Sequence, residues 1–410
     1  MFNNYLDKIM SSSSGYLESI LSEKELVRFY NVLKKLRPKD DKHCIELFDL
    51  HYRKLIKRKH QKEYKRTDSS LKKFINKKSE NLKIIWGDCL DVLQKMDSES
   101  IQLMVTSPPY YNARDYSQWD DIGAYLSDMR EIIRETYRVL DNHRVWVFNI
   151  GDIFDNPNTK TRAVWGKSRL PLGAYFINIF EEEGFTFIDD IIWDKGEVQS
   201  ARNKSSSNPY PFYQYPINCY EHILIFHKHR LDLTRFPCPR CGTLKVNSNT
   251  QSEPGLQSWE CKNNKCFERS ASNRGKRFSL KTNLVQSDVV KNEDNSINKY
   301  TLKKWRRDIV PFSPVIKINL KGKNTLGHTA PFPEDIPDMA IRFFTFKGEL
   351  VLDPFAGSFT APKTAAKLGR IGIGIELNKN SFAGAIRKNL GNANQDLFEN
   401  DIQFSEFSLK

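Results

Sequence analysis

Residues 351–378 read VLDPFAGSFTAPKTAAKLGRIGIGIELN. An apolar run ends at Asp353, a short turn containing Gly357 leads into an amphipathic stretch, and a second apolar run ends at Glu376. A strand, a tight turn, a helix and a second strand in this order form the β-loop-α-β unit that binds nucleotides. Glu376 follows Asp353 by 23 residues. This spacing is close to the offset of about 20 residues at which an acid meets a ribose hydroxyl.

Asp353 indicates which nucleotide cofactor this turn suits. A helix N-terminus attracts anions, but a carboxylate at the mouth of the turn repels a pyrophosphate. The segment also lacks the G-x-G-x-x-G pattern of dinucleotide-binding proteins. A positively charged cofactor fits better, and S-adenosylmethionine carries an ammonium group, a sulfonium centre and ribose hydroxyls. In the alternative interpretation, Asp353 only caps the helix and Glu376 lies on the surface.

Strands and helices alternate on both sides of a polar middle segment. Short apolar strands that alternate with amphipathic helices favour an α/β fold, with a mostly parallel sheet covered on both faces. The predicted strands cover 83–86, 101–105, 144–150, 187–193, 222–228, 349–353 and 370–376, and the predicted helices 89–96, 125–140, 172–182, 338–344 and 361–368.

The strand at 101–105 leads directly into TSPPYYN at 106–112. Proline has no amide hydrogen and restricts the residue before it, so two consecutive prolines cannot extend a sheet. The sequence therefore predicts a rigid corner, flanked by aromatic side chains, at the end of a buried strand.

TSPPY at 106–110 and DPFAGSFT at 353–360 together resemble the signature pair of the S-adenosylmethionine-dependent DNA amino-methyltransferases. That family modifies exocyclic amino groups of cytosine or adenine. GDCLDVL at 87–93, IIWDKG at 191–196 and HTAPFPEDIPDMAI at 328–341 also match. The corner comes first, a variable region second and the cofactor turn last. This order resembles the β class, whose Rossmann-like methyltransferase fold is circularly permuted.

The resemblance implies a set of site residues. The catalytic residues would be Ser107, Pro108, Pro109 and Tyr110, and the cofactor-binding residues Asp88, Asp353, Phe355, Gly357, Glu376 and Asn378. Two features limit this resemblance. Asp88 has the alternative of a turn or helix cap, with Cys89 beside it as a core residue. Phe359 stands where the family has a second glycine in the cofactor turn, which puts in doubt how closely the backbone approaches the cofactor.

The chemistry of an aromatic amino group explains the corner. Its lone pair is delocalised into the ring, so the nitrogen is a poor nucleophile. If the Ser107 hydroxyl oxygen and the Pro108 carbonyl accept hydrogen bonds from its two hydrogens, the nitrogen can pyramidalise and direct its lone pair at a methyl group. Tyr110 would stack on the base, which must be rotated out of the duplex.

Four cysteines form two close pairs in the middle segment. The pairs are CPRCG at 238–242 and CKNNKC at 261–266, with nineteen residues between Cys241 and Cys261. Two close thiolate pairs are typical of a tetrahedral structural zinc site in a zinc ribbon, with chance clustering of free thiols as the alternative. The predicted zinc ligands are Cys238, Cys241, Cys261 and Cys266. In the β class the target-recognition region occupies this position, so the ribbon is expected to help read or clamp DNA.

Composition sets the broader expectations. The chain has 410 residues and a formal net charge of +14. Such a basic balance favours an anionic polymer or an acidic surface as partner. The sequence contains no apolar stretch of about 18 residues and no secretion-signal order, so we expect no membrane span and a cytoplasmic protein. Seven cysteines, with four clustered, suit a reducing compartment better than a disulfide framework.

The predicted organisation has four parts. A basic helical extension covers 1–80, the catalytic half of the methyltransferase domain 81–230, a target-recognition region with the zinc ribbon 231–322, and the cofactor-binding half 323–410. We predict a restriction-modification enzyme acting on double-stranded DNA, with a cognate restriction endonuclease as a candidate partner and the oligomeric state left open. Ser107 favours the cytosine 4-amino group as target, and the adenine 6-amino group is the alternative. Two different functions stay open: an RNA methyltransferase, and a non-catalytic zinc-dependent DNA-binding protein on a methyltransferase scaffold.

Overall fold

A computed structural model describes residue 31 and residues 68–111, 119–154, 169–196, 219–228, 238, 240–252, 256–266, 277–278, 296–313, 333–393 and 402–409. The chain divides into two compact units, Met1–Tyr64 with Glu182–Gly184 and Lys65–Glu181 with Phe185–Lys410. The second unit contains the sheets. Most of the predicted helical extension over 1–80 lies outside the described residues.

The described strands are β1 (Leu82–Trp86), β2 (Ile101–Thr106), β3 (Leu140–Ile150), β4 (Ile153–Phe154), β5 (Arg169–Leu170), β6 (Phe185–Asp194), β7 (Tyr220–Lys228), β8 (Val246–Ser252), β9 (Leu256–Cys261), β10 (Arg277–Phe278), β11 (Ile309–Pro311), β12 (Leu350–Asp353), β13 (Ile371–Glu376) and β14 (Phe404–Ser408). Nine of them form one sheet in the order β11-β6-β7-β3-β2-β12-β13-β1-β14. Within it, β7 is antiparallel to β3 and β6, and the remaining pairs are parallel. The predicted α/β class with a mostly parallel sheet is confirmed.

The described helices are α1 (Ser69–Asn76), α2 (Cys89–Lys95), α3 (Ile122–Val139), α4 (Leu172–Glu182), α5 (Lys299–Trp305), α6 (Asp335–Phe344), α7 (Thr360–Lys367) and α8 (Lys379–Ala393). Local chemistry sets their ends. Helix α3 begins after Asp121, whose carboxylate accepts a hydrogen bond from the Ala124 amide at 2.8 Å. Its Met129, Ile133 and Tyr137 are buried on one face, as their helical spacing predicts.

Helices cover both faces of the sheet, because the central strands bury side chains in both directions. In β2, Met104 belongs to one apolar cluster and its neighbours Leu103 and Val105 belong to another. The same holds in β12, where Leu352 joins Met104 and Val351 joins Leu103. Burial on both faces explains why these strands are continuous apolar runs rather than alternating ones.

The topology places a ligand crevice at the middle of the sheet. Strand β12 lies between β2 and β13, although β2 precedes it by more than two hundred residues in the chain. The chain leaves β12 toward β13 on one side, whereas β2 and β3 extend the sheet on the other. In open α/β sheets, ligands bind at the carboxyl ends of the strands where the strand order reverses. The order in which β2 precedes β12 along the chain is the circular permutation that the family resemblance implied.

The predicted target-recognition region, 231–322, divides into two structural parts. Strands β8, β9 and β10 form a separate antiparallel sheet. Strand β11 instead extends the main sheet by pairing with β6, and Trp305 of α5 is buried in the same cluster as Val310 and Met339. The three residues of β11 are too few to give a periodic signal, so the sequence did not predict this strand. In the described parts of the chain, none of the helices combines the length and hydrophobicity that a bilayer crossing requires.

Candidate active site

The two signature segments meet at the carboxyl edge of the main sheet. Strands β2 and β12 are paired, with Leu103 opposite Val351. At their ends, the Thr106 hydroxyl donates a hydrogen bond to the Asp353 carboxylate at 2.5 Å. Thr106 immediately precedes Ser107, so the corner predicted to be catalytic begins next to the turn predicted to bind a cofactor.

Asp353 is a deeply buried acid. Only 1% of its surface is exposed, and its Oδ1 atom also accepts a hydrogen bond from the Phe355 amide at 3.0 Å. Burial raises the pKa of Asp353 to about 7, although the Thr106 and Phe355 donors oppose this shift. Asp353 is not the cap of α7, whose N-cap position is Phe359 with no side-chain hydrogen bond. A buried carboxyl group poised near neutrality suits a ligand that brings a positive charge.

Glu376 ends β13 and faces the same turn. Its two carboxylate oxygens accept hydrogen bonds from the amides of Gly357 at 3.0 Å and Asn378 at 2.9 Å. Burial raises its pKa, whereas these donors lower it. The side chain is half-buried and retains free acceptor positions, because a carboxylate offers about four lone pairs. Glu376 is therefore not a simple surface residue, and it could receive ribose hydroxyls.

Two other predicted cofactor residues begin helices at this edge. The Asp88 carboxylate accepts hydrogen bonds from the Leu90 and Asp91 amides at 2.9 and 3.2 Å, so it caps α2. Asp88 remains exposed, and the preceding Gly87 amide donates to the Glu376 carbonyl at 3.0 Å. The Asn378 side chain accepts a hydrogen bond from the Ser381 amide at 3.1 Å at the start of α8. A capping role and a ligand contact are compatible, because each side chain keeps free polar capacity.

Two residues near the turn have mainly apolar surroundings. Phe355 is half-buried and packs against the larger core cluster. Cys89 is buried, and burial raises the pKa of its thiol, with the neighbouring Asp88 adding to the effect. These surroundings agree with the prediction that Cys89 is a core residue.

Phe359 keeps the backbone conformation that a glycine would adopt. Its φ and ψ are 64° and 29°, in the left-handed region, and its side chain is fully buried. The ring lies against Gly374 of β13, where an added Cβ would be 2.4 Å from the ring. Trp86 is a further neighbour, with 6.4 Å between ring centroids. Because the ring is part of the core, the shape of the turn is preserved despite the substitution. Glycines inside a strand, as in IGIGIE, are the sequence signal for such a close approach.

The proline corner is held by side chains from other elements. The Tyr125 hydroxyl of α3 donates to the Pro109 carbonyl at 2.9 Å. The Ser107 hydroxyl donates to the Tyr110 hydroxyl at 3.4 Å, and that hydroxyl donates to the Glu221 carboxylate of β7 at 2.7 Å. Among the described residues, no donor binds the Pro108 carbonyl, so this oxygen is free to accept a hydrogen bond. The sequence predicted neither Tyr125 nor Glu221.

A charged cluster lies beside Glu221 on strand β7. The His222 ring nitrogens lie 2.8 Å from the Asp190 carboxylate and 3.7 Å from the Asp152 carboxylate. Although burial opposes the charged form, hydrogen bonds that the ring donates to these two carboxylates raise the pKa of His222 to about 9. His222 is therefore a fixed cation near neutral pH, one residue along the strand from the anion that binds Tyr110.

The four cysteines of the middle segment come together. The sulfur atoms of Cys238, Cys241, Cys261 and Cys266 all lie within 4.8 Å of one another. Cys241 and Cys261 are 3.7 Å apart, close to the roughly 3.8 Å expected between thiolates in a tetrahedral zinc site with Zn–S bonds of about 2.3 Å. The Gly242 amide donates to the Cys238 carbonyl at 2.8 Å and shapes the first pair as a tight turn. This donor set fits a tetrahedral metal ion.

Sequence similarity links the chain to a protein family and to individual relatives. The family model N6_N4_Mtase, described as DNA methylase, matches residues 101–387. The Type II beta methyltransferase M.BslI of Bacillus sp. (strain NEB-606) is 38% identical over 315 residues, which cover 77% of this chain but only 28% of that protein. The Type II methyltransferase M.MjaI of Methanocaldococcus jannaschii is 27% identical over 352 residues, covering 76% of this chain and 91% of the relative.

Among solved structures, TTHA0409 from Thermus thermophilus, assigned as a DNA modification methylase, superposes with a TM-score of 0.50 at 21% identity. The match covers 80% of this chain and 99% of TTHA0409. A second structure of TTHA0409, in complex with S-adenosyl-L-methionine, superposes with the same score. At this level of identity the likeness supports the fold.

Proposed function

Because the chain belongs to the N6_N4_Mtase family of DNA methylases, we propose that it transfers a methyl group from S-adenosylmethionine to the 4-amino group of cytosine in double-stranded DNA. The observation that carries this proposal is the hydrogen bond between Thr106 and Asp353, which brings the proline corner next to the cofactor turn. The relatives are named Type II methyltransferases, which supports a role in restriction-modification and a cognate endonuclease as partner.

The residues around β12 and β13 fit S-adenosylmethionine. The cofactor would supply an activated methyl group on a cationic sulfur. Asp353 supplies a buried carboxyl group that is stabilised as an anion by a nearby positive charge. Glu376 offers free lone pairs beside the Gly357 amide for ribose hydroxyls, and we assign the exposed Asp88 at the same edge to the adenine. Phe355 and Asn378 complete the proposed cofactor site.

The proline corner would activate the amino group. The Ser107 oxygen and the Pro108 carbonyl, to which no described residue donates, accept hydrogen bonds from the two amino hydrogens, so the nitrogen lone pair is released from the ring. Tyr125 fixes the neighbouring Pro109 carbonyl and thereby restrains the chain that carries the Pro108 oxygen. This geometry is set before substrate arrives, and positioning of this kind is a large source of rate enhancement. Tyr110 provides the aromatic surface on which the rotated base stacks.

The choice of cytosine over adenine rests on Ser107 at the first position of the corner, which is similar to the cytosine-modifying members. Methylation of a duplex oligonucleotide library, followed by digestion and mass spectrometry of the nucleosides, tests this choice. We expect 4-methylcytosine. If 6-methyladenine is the sole product, the adenine alternative replaces our proposal.

The four-cysteine cluster would hold a structural zinc ion. Among the described residues of this module, the buried cluster around the cysteines adds Val246 and Trp259 alone. A metal ion would supply the stability that so small a core lacks. Metal analysis of the purified protein should find about one zinc per chain. Protein that carries no metal and keeps four reactive thiols would contradict the site.

The alternative of a non-catalytic DNA-binding protein was based on Phe359. The ring of Phe359 is buried in the core, and the turn keeps its left-handed conformation, so this residue gives no reason to prefer that alternative. Calorimetric titration with S-adenosylmethionine separates the two functions, because a scaffold that has lost its cofactor site would give no heat of binding.

A further inference from the structure

Glu221 of β7 accepts hydrogen bonds from three different elements. One carboxylate oxygen accepts the Tyr110 hydroxyl at 2.7 Å and the Asn149 amide nitrogen at 3.1 Å. The other oxygen forms an ion pair with the Lys195 ammonium group. The exposed fractions of the Lys195 and Glu221 side chains are 19% and 14%, so solvent screens this pair only partly. Gly151 is required beside it, because an added Cβ would lie 2.8 Å from the Glu221 side chain.

These contacts fix the position of the carboxylate. The Ser107 hydroxyl donates to Tyr110, and the Tyr110 hydroxyl donates to Glu221. Two further donors, the Asn149 side-chain amide and the Lys195 ammonium group, bind the same carboxylate from other segments. Glu221 is therefore suited to act as a fixed hydrogen-bond acceptor.

We propose that Glu221 is a positioning residue that holds the Tyr110 ring in the orientation needed to stack on the rotated target base. The inference rests on the proposed function. The ring is attached to the proline corner at one end and to Glu221 at the other, so its two side-chain torsions are fixed before DNA binds. The conformational freedom that stacking would otherwise remove is already lost in the free protein.

The variants Glu221→Gln, Tyr110→Phe and the double variant test this role. Tyr110→Phe keeps the ring and removes only the hydroxyl. Single-turnover methylation of duplex DNA should fall about tenfold in each single variant, and the double variant should be no slower than the slower single. Cofactor affinity should not change. With 2-aminopurine at the target position, fluorescence of the DNA complex should increase in Glu221→Gln, because a loosely held ring stacks less on the rotated base.

A matched control is Glu349→Gln. Glu349 forms an ion pair with Arg144, with exposed fractions of 18% and 22%, and precedes β12 at the opposite edge of the sheet. This variant should methylate at the rate of the unmodified protein. Equal losses of methylation rate in Glu221→Gln and Glu349→Gln would refute the positioning role of Glu221. Additive losses in the Glu221→Gln/Tyr110→Phe double variant would also refute it. Unmodified protein that methylates no DNA would instead contradict the proposed function.

A second, independent feature is a basic stripe on α5 and the residues after it. Its members are exposed: Lys303 follows Lys299 by four residues, and Arg306 and Arg307 follow Lys303 by three and four. Within the described part of the chain, none of the four forms an ion pair. Trp305 is only 5% exposed and anchors the segment. Like charges at this spacing repel one another, so the stripe weakens the helix unless an anion binds it.

The stripe lies on the side of the sheet where the substrate would bind. Lys304, between its members, is 3.5 Å from Asp335 at the start of α6. The residue before it, Glu334, accepts a hydrogen bond from Thr364 in the second turn of α7 at 3.3 Å. Because α7 follows the carboxyl end of β12, the start of α6 lies near that edge. The basic stripe therefore flanks the carboxyl edge, where the proline corner and cofactor turn meet.

We infer that this stripe contacts the phosphate backbone of the substrate DNA beside the rotated base. The seven helical steps from Lys299 to Arg306 rise by about 10 Å, which matches about three phosphates of one strand at roughly 3.4 Å each. The inference also rests on the proposed function and names its substrate contact. It differs from the zinc-ribbon assignment, because β11, which follows α5, pairs with the main sheet, whereas β8, β9 and β10 form a separate sheet.

The salt dependence of DNA binding tests the stripe. In Lys299→Gln/Lys303→Gln, the slope of log Kd against log salt concentration should fall by about 1.8, and affinity should fall equally for all duplex sequences. The control Lys73→Gln/Lys78→Gln removes two exposed lysines from α1 and the residues after it and should leave the slope unchanged. An unchanged slope in the α5 variant would refute the phosphate contact, and a loss confined to the recognition sequence would make these residues base readers instead.

Discussion

Burial of Asp353 predicts that cofactor affinity depends on pH near neutrality. Only the ionised carboxylate attracts a cationic ligand, and burial raises the pKa of this group to about 7. About one tenth of the free protein is then ionised at pH 6 and about nine tenths at pH 8. If binding requires the ionised form, affinity should increase about tenfold between these pH values, which corresponds to about 1.4 kcal/mol.

Isothermal titration with S-adenosylmethionine provides the measurement. At pH 6, in buffers of different ionisation enthalpy, binding should release nearly one proton, and at pH 8 almost none. Asp353→Asn should bind weakly with little pH dependence. Thr106→Val removes the hydroxyl that donates to Asp353 at 2.5 Å, so the midpoint should move to higher pH. An affinity that is flat from pH 6 to 8, or a full pH response in Asp353→Asn, would refute the reasoning.

The raised pKa of Asp353 also predicts how the stability of the cofactor-free protein depends on pH. The folded pKa of Asp353 lies above its unfolded value, so its favourable contribution is complete below pH about 3.8 and is lost as the pH increases through about 7. Without cofactor, Asp353→Asn should therefore melt at a higher temperature than the unmodified protein at pH 8. The difference should decrease toward pH 6, where most of the carboxyl groups are protonated. A lower melting temperature for the variant at pH 8 would contradict the buried-charge explanation.

Three further outcomes follow from the site and its surroundings. Ser107→Ala should lower turnover strongly with little change in DNA or cofactor affinity, because it removes one of the two proposed acceptors; a large loss of affinity would contradict that role. Cys241→Ser should abolish zinc binding and DNA affinity but leave cofactor affinity intact, measured by metal analysis and the two titrations. The folded pKa of His222 is about 9, so its stabilisation should be complete below pH about 6.5 and lost as the pH increases through about 9. The melting temperature of His222→Gln should therefore approach that of the unmodified protein at high pH.

The sequence was most informative where function depends on a contiguous segment. The double proline forces the chain out of the sheet after Thr106, and the turn after Asp353 is defined by residues within a few positions. Both predictions follow from local backbone chemistry. The convergence of the four cysteines was also predictable, because the two cysteines of each pair are close in the chain and need only one turn to meet.

Contacts between distant segments were not predictable in this way. Glu221 and Tyr110 are 111 residues apart, and they meet because β7 is inserted antiparallel between β3 and β6. A run such as YEHILIF indicates a strand but not its neighbours, so the partner of its single acid cannot be inferred. Strand β11 was missed for a related reason, since three residues carry no period.

Phe359 shows how a departure from a family pattern depends on a second position. As a substitution in one turn, it suggested a changed cofactor site. The left-handed backbone is unfavourable for a residue with a Cβ by about 1–2 kcal/mol, whereas burial of a phenylalanine ring contributes about 1.5–3 kcal/mol. That gain is available only because Gly374 leaves space for the ring. Phe359 and Gly374 therefore act as a pair: the strand glycine allows the turn to keep the conformation that the family's glycine would provide.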